Sequence, residues 1–130
     1  MLNLKRGLTK QQSNEHSEQV GLVLWFRRRF PDVLIFAIPN GEYRAISTAK
    51  KLKAEGVVPG IPDLFIPSWK LWVEMKRSDG GVISPEQHSI HGYLERVGYT
   101  IIVGNGAEDA SRKILAVAAD KRGEIVYPVK

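Results

Sequence analysis

The sequence predicts an α/β fold in which helices cover both faces of a mixed β-sheet, and three observations predict it. Segments of helical periodicity alternate with short apolar runs of strand length. Two of those runs, 63 to 67 and 70 to 76, flank the turn signal Pro67-Ser68-Trp69-Lys70 and can pair as an antiparallel hairpin. Finally, 130 residues without a cysteine make one domain, long enough to bury roughly two-thirds of its unfolded surface with no disulfide.

The elements follow in chain order. Residues 1 to 13 are polar, carry Lys5, Arg6 and Lys10 without an acid, and predict a flexible basic segment ahead of a single domain over 14 to 130. Ser13 or Asn14 is a credible N-cap for a helix to Arg29, with a wide apolar face of Val20, Leu22, Val23, Leu24, Trp25 and Phe26; Pro31 stops it. Val33 to Ile38 is a continuous apolar run of strand length, followed by the turn Pro39-Asn40-Gly41. Ser47 to Glu55 reads as a short helix closed by Gly56, where a left-handed residue is favoured.

After the hairpin, Asp79-Gly80-Gly81 forms a flexible turn. Ser84, Pro85 and Gln87 then combine a cap, a first-turn proline and a third-position glutamine, a capping box that opens a helix to about Val97. Gly98 ends that helix, Tyr99 to Val103 is a buried-type strand, and 107 to about 119 a last helix. Ile125 to Val129 reads as an edge strand, because Pro128 cannot donate to a ladder.

Composition narrows the function classes. Without cysteine there are no thiolate metal sites and no cysteine nucleophile. With no apolar run of about 18 residues and no signal-peptide pattern, a cytoplasmic location and no membrane association are expected. Nineteen Lys plus Arg against 14 Asp plus Glu give a net charge of +5 and a pI near 9.6, which suits a polyanionic partner but also occurs in proteins that bind none. Arg44, Lys50, Lys51 and Lys53 outnumber Glu42 and Glu55 in the stretch 42 to 56, either as a solvated helix face or as a DNA-contacting one.

The chemistry centres on Asp63, Glu74 and Lys76. Asp63 and Glu74 are separated by ten residues, and one more lies before Lys76. All three interrupt apolar, strand-like segments, where an ionised group costs several kcal/mol unless a partner or a cation compensates it. Alternate residues of a strand share a face, so Glu74 and Lys76 point the same way, and the hairpin brings Asp63 near Glu74. The two carboxylates with the backbone carbonyl of Met75 are oxygen ligands that Mg²⁺ or Mn²⁺ prefers, and Lys76 at the lip could stabilise charge developing on phosphorus. A third acid would come from the first helix, Glu15 or Glu18. The alternative is a plain buried ion pair of Lys76 with one of the acids.

Pro62-Asp63, ten residues, then Glu74-Met75-Lys76 matches the signature of the PD-(D/E)XK nuclease superfamily. It arrives within Gly56-Val57-Val58-Pro59-Gly60-Ile61-Pro62-Asp63-Leu64-Phe65, with Pro39-Asn40-Gly41 upstream and Ser84-Pro85-Glu86-Gln87 downstream. Over about residues 14 to 118 the chain thus resembles the virus-type replication-repair nuclease (VRR-NUC) domain. The resemblance implies a restriction-endonuclease-like fold and divalent-metal-dependent hydrolysis of DNA phosphodiesters. Asp63 and Glu74 would be metal ligands, Lys76 the catalytic lysine, Glu18 the helix-borne acid and Gln87 a polar residue facing the site. Small single-domain relatives of phages and bacteria imply a homodimer that resolves Holliday junctions, in a bacterial or phage-infected cell. A flap or duplex nuclease of lower structure selectivity, or a DNA-binding module without chemistry, are the competing expectations.

Asn40 and Gly41 would reach the DNA backbone through their amides. His88 and His91, three apart on one helix, could be two zinc ligands but lack a third, so they read as ordinary core or surface histidines; His16 has no role. Trp25, Trp69 and Trp72 read as packing residues, Trp69 at the hairpin turn being the one that could instead meet a partner. Arg27, Arg28 and Arg29 suit the negative end of a helix dipole.

Overall fold

A computed structural model describes residues 10–39 and 46–120. The segment 1–9, the turn residues Asn40, Gly41 and Arg44, and the edge strand expected over 125–129 lie outside the described residues. The first helix, α1 (Lys10–Arg29), begins several residues ahead of the expected cap, so Ser13 and Asn14 lie within it. Gln11 and Gln12 are good helix formers and give the chain no reason to stop there.

The buried face of α1 is narrower than the run of apolar residues suggested. Leu22 and Phe26, one turn apart, are fully buried, whereas Val20 and Leu24 are 46% and 51% exposed. Strand β1 is shorter than the apolar run too: only Phe36–Ala37 pairs, because its neighbour β2 (Leu64–Ile66) has just three residues. Val33 and Ile35 still enter the core, and the Ile38 amide donates to the Asp63 carbonyl at 2.9 Å, tying the end of β1 to the residue before β2. Helix α2 (Ile46–Ala54) ends at Gly56, whose φ of 103° is the left-handed closure expected.

The hairpin forms with a short 3-10 turn, Pro67–Trp69, and Lys70 at φ 50° turns the chain into β3 (Leu71–Lys76). That turn folds Trp69 inward. Its ring is fully buried and packs edge-on against Phe26 and Phe30, with centroids 5.5 and 5.0 Å apart, so it is a core residue and not a partner contact.

Helix α3 (Pro85–Arg96) opens with both halves of the expected capping box. Strand β4 (Thr100–Asn105) runs parallel to β3, and α4 (Ala107–Asp120) returns across the sheet, burying Ala110 and Ile114. The sheet order is β1-β2-β3-β4, antiparallel up to β3 and parallel between β3 and β4, which makes the mixed sheet predicted. Gly104 lets α4 lie close: a Cβ there would collide with Ala110. Leu64, Ile66, Leu71, Val73 and Met75 fill the core under α1 and α4. The opposite face carries an aromatic row, Phe36, Phe65, Trp72 and Tyr99, and it is there that α3 packs. No helix among the described residues is long and apolar enough to cross a membrane.

Candidate active site

The pleat of β3 sorts its side chains. Leu71, Val73 and Met75 point into the core, so Trp72, Glu74 and Lys76 point to the α3 face. Leu64 pairs with Val73, and one step further along the register Asp63 comes opposite Glu74. Asp63, Glu74 and Lys76 therefore meet on one face, as the spacing predicted.

Gly60 and Gly81 make room for this. At Gly60, with φ 94°, a Cβ would strike the backbone of Glu86 in the first turn of α3, so the segment leading into Asp63 can press against that helix. At Gly81 a Cβ would come 2.9 Å from the Lys76 stem. The diglycine turn is thus shaped to admit the lysine.

Asp63 Oδ2 accepts the Met75 amide at 2.7 Å. In an extended strand the N–H and C=O of one residue point to the same side, so the Met75 carbonyl also faces Asp63, whereas Lys76 turns to β4, its carbonyl accepting the Gly106 amide at 2.8 Å. The Glu74 side chain is only 2% exposed. Burial, reinforced by the charge of Asp63 and a hydrogen bond with it, pushes the Glu74 carboxyl up to about 9; Lys76 opposes the shift and Glu15 adds to it. A buried carboxyl and a half-buried one crowded together beside a single lysine form an environment that a hard divalent cation suits. Asp63, Glu74 and the Met75 carbonyl would hold it, with water and phosphate oxygens completing the shell. Among the described residues no group of three His, Cys, Asp or Glu side chains is arranged to hold a metal.

Gln87 ties the site to α3. Its Oε1 accepts the Ser84 amide at 2.9 Å, closing the capping box, and also accepts from Lys76 Nζ at 3.0 Å, while its Nε2 donates to Glu74 Oε2 at 3.1 Å. The cap and the site are the same side chain. The other Glu74 oxygen, Oε1, lies 3.2 Å from His91 Nε2, a contact that reading the sequence missed. Its signal was there, since His91 is one helical turn beyond Gln87 and shares its face. Burial, and next the neighbouring His88, lower the His91 pKa.

The two first-helix acids differ in their surroundings. Glu18 Oε1 accepts the Ala107 amide at 2.7 Å, stabilising the start of α4, where free amides and the helix dipole attract a carboxylate. Glu15 is the acid whose charge Glu74 senses. Lys50, Lys51 and Lys53 are exposed on α2. A cavity of about 380 Å³, lined by Lys53, Leu52 and Val58 among others, opens beside Ser84 and Gln87.

No family model matches the chain, and no curated protein does. A solved structure described as a "VRR_NUC domain protein" superimposes with a TM-score of 0.68 at 24% sequence identity, over 82% of this chain and 88% of that one. The two share a fold across most of both chains.

Proposed function

We propose that this chain is a VRR-NUC nuclease that hydrolyses DNA phosphodiester bonds with Mg²⁺ or Mn²⁺. The observation that carries the reading is the convergence of Asp63, Glu74, Lys76 and Gln87 on one sheet face, in a chain that shares its fold with a VRR_NUC domain protein. A bound divalent cation supplies Lewis-acid polarisation of a phosphate oxygen and lowers the pKa of water. Asp63 and Glu74, with the Met75 carbonyl, bind that cation. Glu15 adds negative charge around it, and the helix acid is Glu18 or Glu15. Lys76 Nζ, held by Gln87, stands where charge develops on the scissile phosphate and stabilises it. Asn40, Gly41, Arg44 and the lysines of α2 would grip the DNA backbone.

A four-way junction is the proposed substrate and a homodimer the proposed form, because symmetric incision needs two sites related by a two-fold axis and one chain carries one. The test is incubation of the purified protein with labelled four-way junction, flap and duplex DNA, with Mg²⁺ or with chelator. Paired symmetric cuts in the junction, lost with chelator, are expected. Asp63→Ala, Glu74→Ala and Lys76→Ala should each lower cleavage by at least about 10²-fold while leaving DNA binding measurable. Preferential flap or duplex cutting would replace the junction assignment, and full activity in any one variant would remove that residue from the mechanism.

A further inference from the structure

We infer that His91 is a positioning residue of this site, holding the Glu74 carboxylate in its cation-binding orientation. The inference rests on the nuclease reading above and extends it to a residue outside the acid, acid, lysine signature.

The argument is geometric. A carboxylate on a strand can rotate about its last side-chain bond, and a single hydrogen bond leaves much of that rotation free. From α3, Glu74 is held at two points: Gln87 Nε2 donates to Oε2 at 3.1 Å and His91 Nε2 faces Oε1 at 3.2 Å. Both holders sit on α3, one helical turn apart, so a rigid helix sets the spacing between them. Two donors on one rigid element, one to each oxygen, fix the plane of the group. Once a cation holds Glu74 ionised, its carboxylate can only accept, so the Nε2 of His91 then carries the proton and donates. The His91 side chain is 12% exposed and Glu74 2%, so little water competes for the bond.

Hydrogen-bond partners of metal-binding groups orient those groups and raise ligand quality, and their loss costs about 10- to 100-fold in metal affinity or activity. Gln87 already answers to Lys76 and to the Ser84 cap, so its position is set by three demands at once. His91 bonds Glu74 without those ties. It is therefore the holder whose removal disturbs Glu74 and leaves the helix cap intact.

The experiment compares wild type, His91→Leu and His91→Gln, the last of which can place an amide N–H near the lost Nε2. Mn²⁺ affinity is measured by calorimetry without DNA, cleavage by kcat and KM, and folding by thermal melting. With Mg²⁺ bound, NMR of the wild type should show a His91 Nε2 proton protected from exchange, and Glu74→Ala should abolish it. His91→Leu is expected to weaken Mn²⁺ binding and lower kcat by about 10- to 100-fold with KM for DNA little changed, and His91→Gln to recover most of the loss. Wild-type Mn²⁺ affinity in His91→Leu, or no recovery in His91→Gln, overturns the positioning role. A wild type that melts cooperatively yet neither binds Mn²⁺ nor cuts DNA overturns the nuclease reading, and the role with it.

Discussion

Glu74 lies at the centre of the proposed site, and its surroundings make it unlike an ordinary glutamate. Its carboxyl, pushed up to about 9 mainly by burial and then by Asp63, holds a proton in the folded protein that the unfolded chain, near the usual 4.5, releases. Its contribution to stability is therefore complete below pH 4.5 and is lost as pH rises toward 9. In chelator the melting temperature should fall across that window, and Glu74→Gln should flatten the curve; parallel profiles for both proteins would show that another group titrates. Saturating Mn²⁺ should shrink the slope as well, because the cation compensates the ionised pair. The first-helix acids give a second contrast. Glu15→Gln should weaken Mn²⁺ binding severalfold with little effect on melting, whereas Glu18→Ala should cost about 1–3 kcal/mol of stability by releasing the Ala107 amide. The reverse pattern would make Glu18 the helix acid.

At the scale of elements, the site exists because three short pieces of backbone arrive at one place. The hairpin delivers Asp63 and Glu74 through its register, β3 delivers Lys76 through its pleat, and α3 delivers Gln87 and His91 through one helical turn. These local relations are what the sequence displays openly. Alternation, turn residues and the capping box depend on neighbours within a few positions, so the hairpin, the cap on α3 and the glycine stops at 56 and 98 were legible. The packing of α4 against β4 was less so, since it depends on Gly104 letting the helix approach. Gly104→Ala should force α4 outward from β4 and cost about 1–3 kcal/mol, read by thermal melting. Unchanged stability would mean that the two elements are less closely packed than their contact implies. The shortening of β1 has a similar origin, because a strand can extend only as far as a partner accompanies it.

For the whole molecule, the balance of +5 becomes meaningful through its distribution. Lys50, Lys51 and Lys53 stand exposed on α2, whose Lys53 borders the cavity beside Gln87. If these lysines contact phosphates, replacing all three with alanine should weaken DNA binding uniformly across sequences. It should also flatten the dependence of log affinity on log salt by up to about 3. An unchanged salt slope would remove α2 from the DNA-binding surface.

By itself the sequence determined the α/β class, the hairpin that pairs Asp63 with Glu74, the shared face of Glu74 and Lys76, and the cap that places Gln87. Each of these follows from periodicity or turn chemistry over a short span. Only the tertiary structure decided that His91 reaches Glu74 from 17 residues away, that Glu18 crosses 89 residues to serve α4 while Glu15 is the acid Glu74 senses, and that Trp69 turns into the core. Such contacts join segments whose distance in space is set by how the sheet and helices pack, and spacing along the chain holds no measure of that distance.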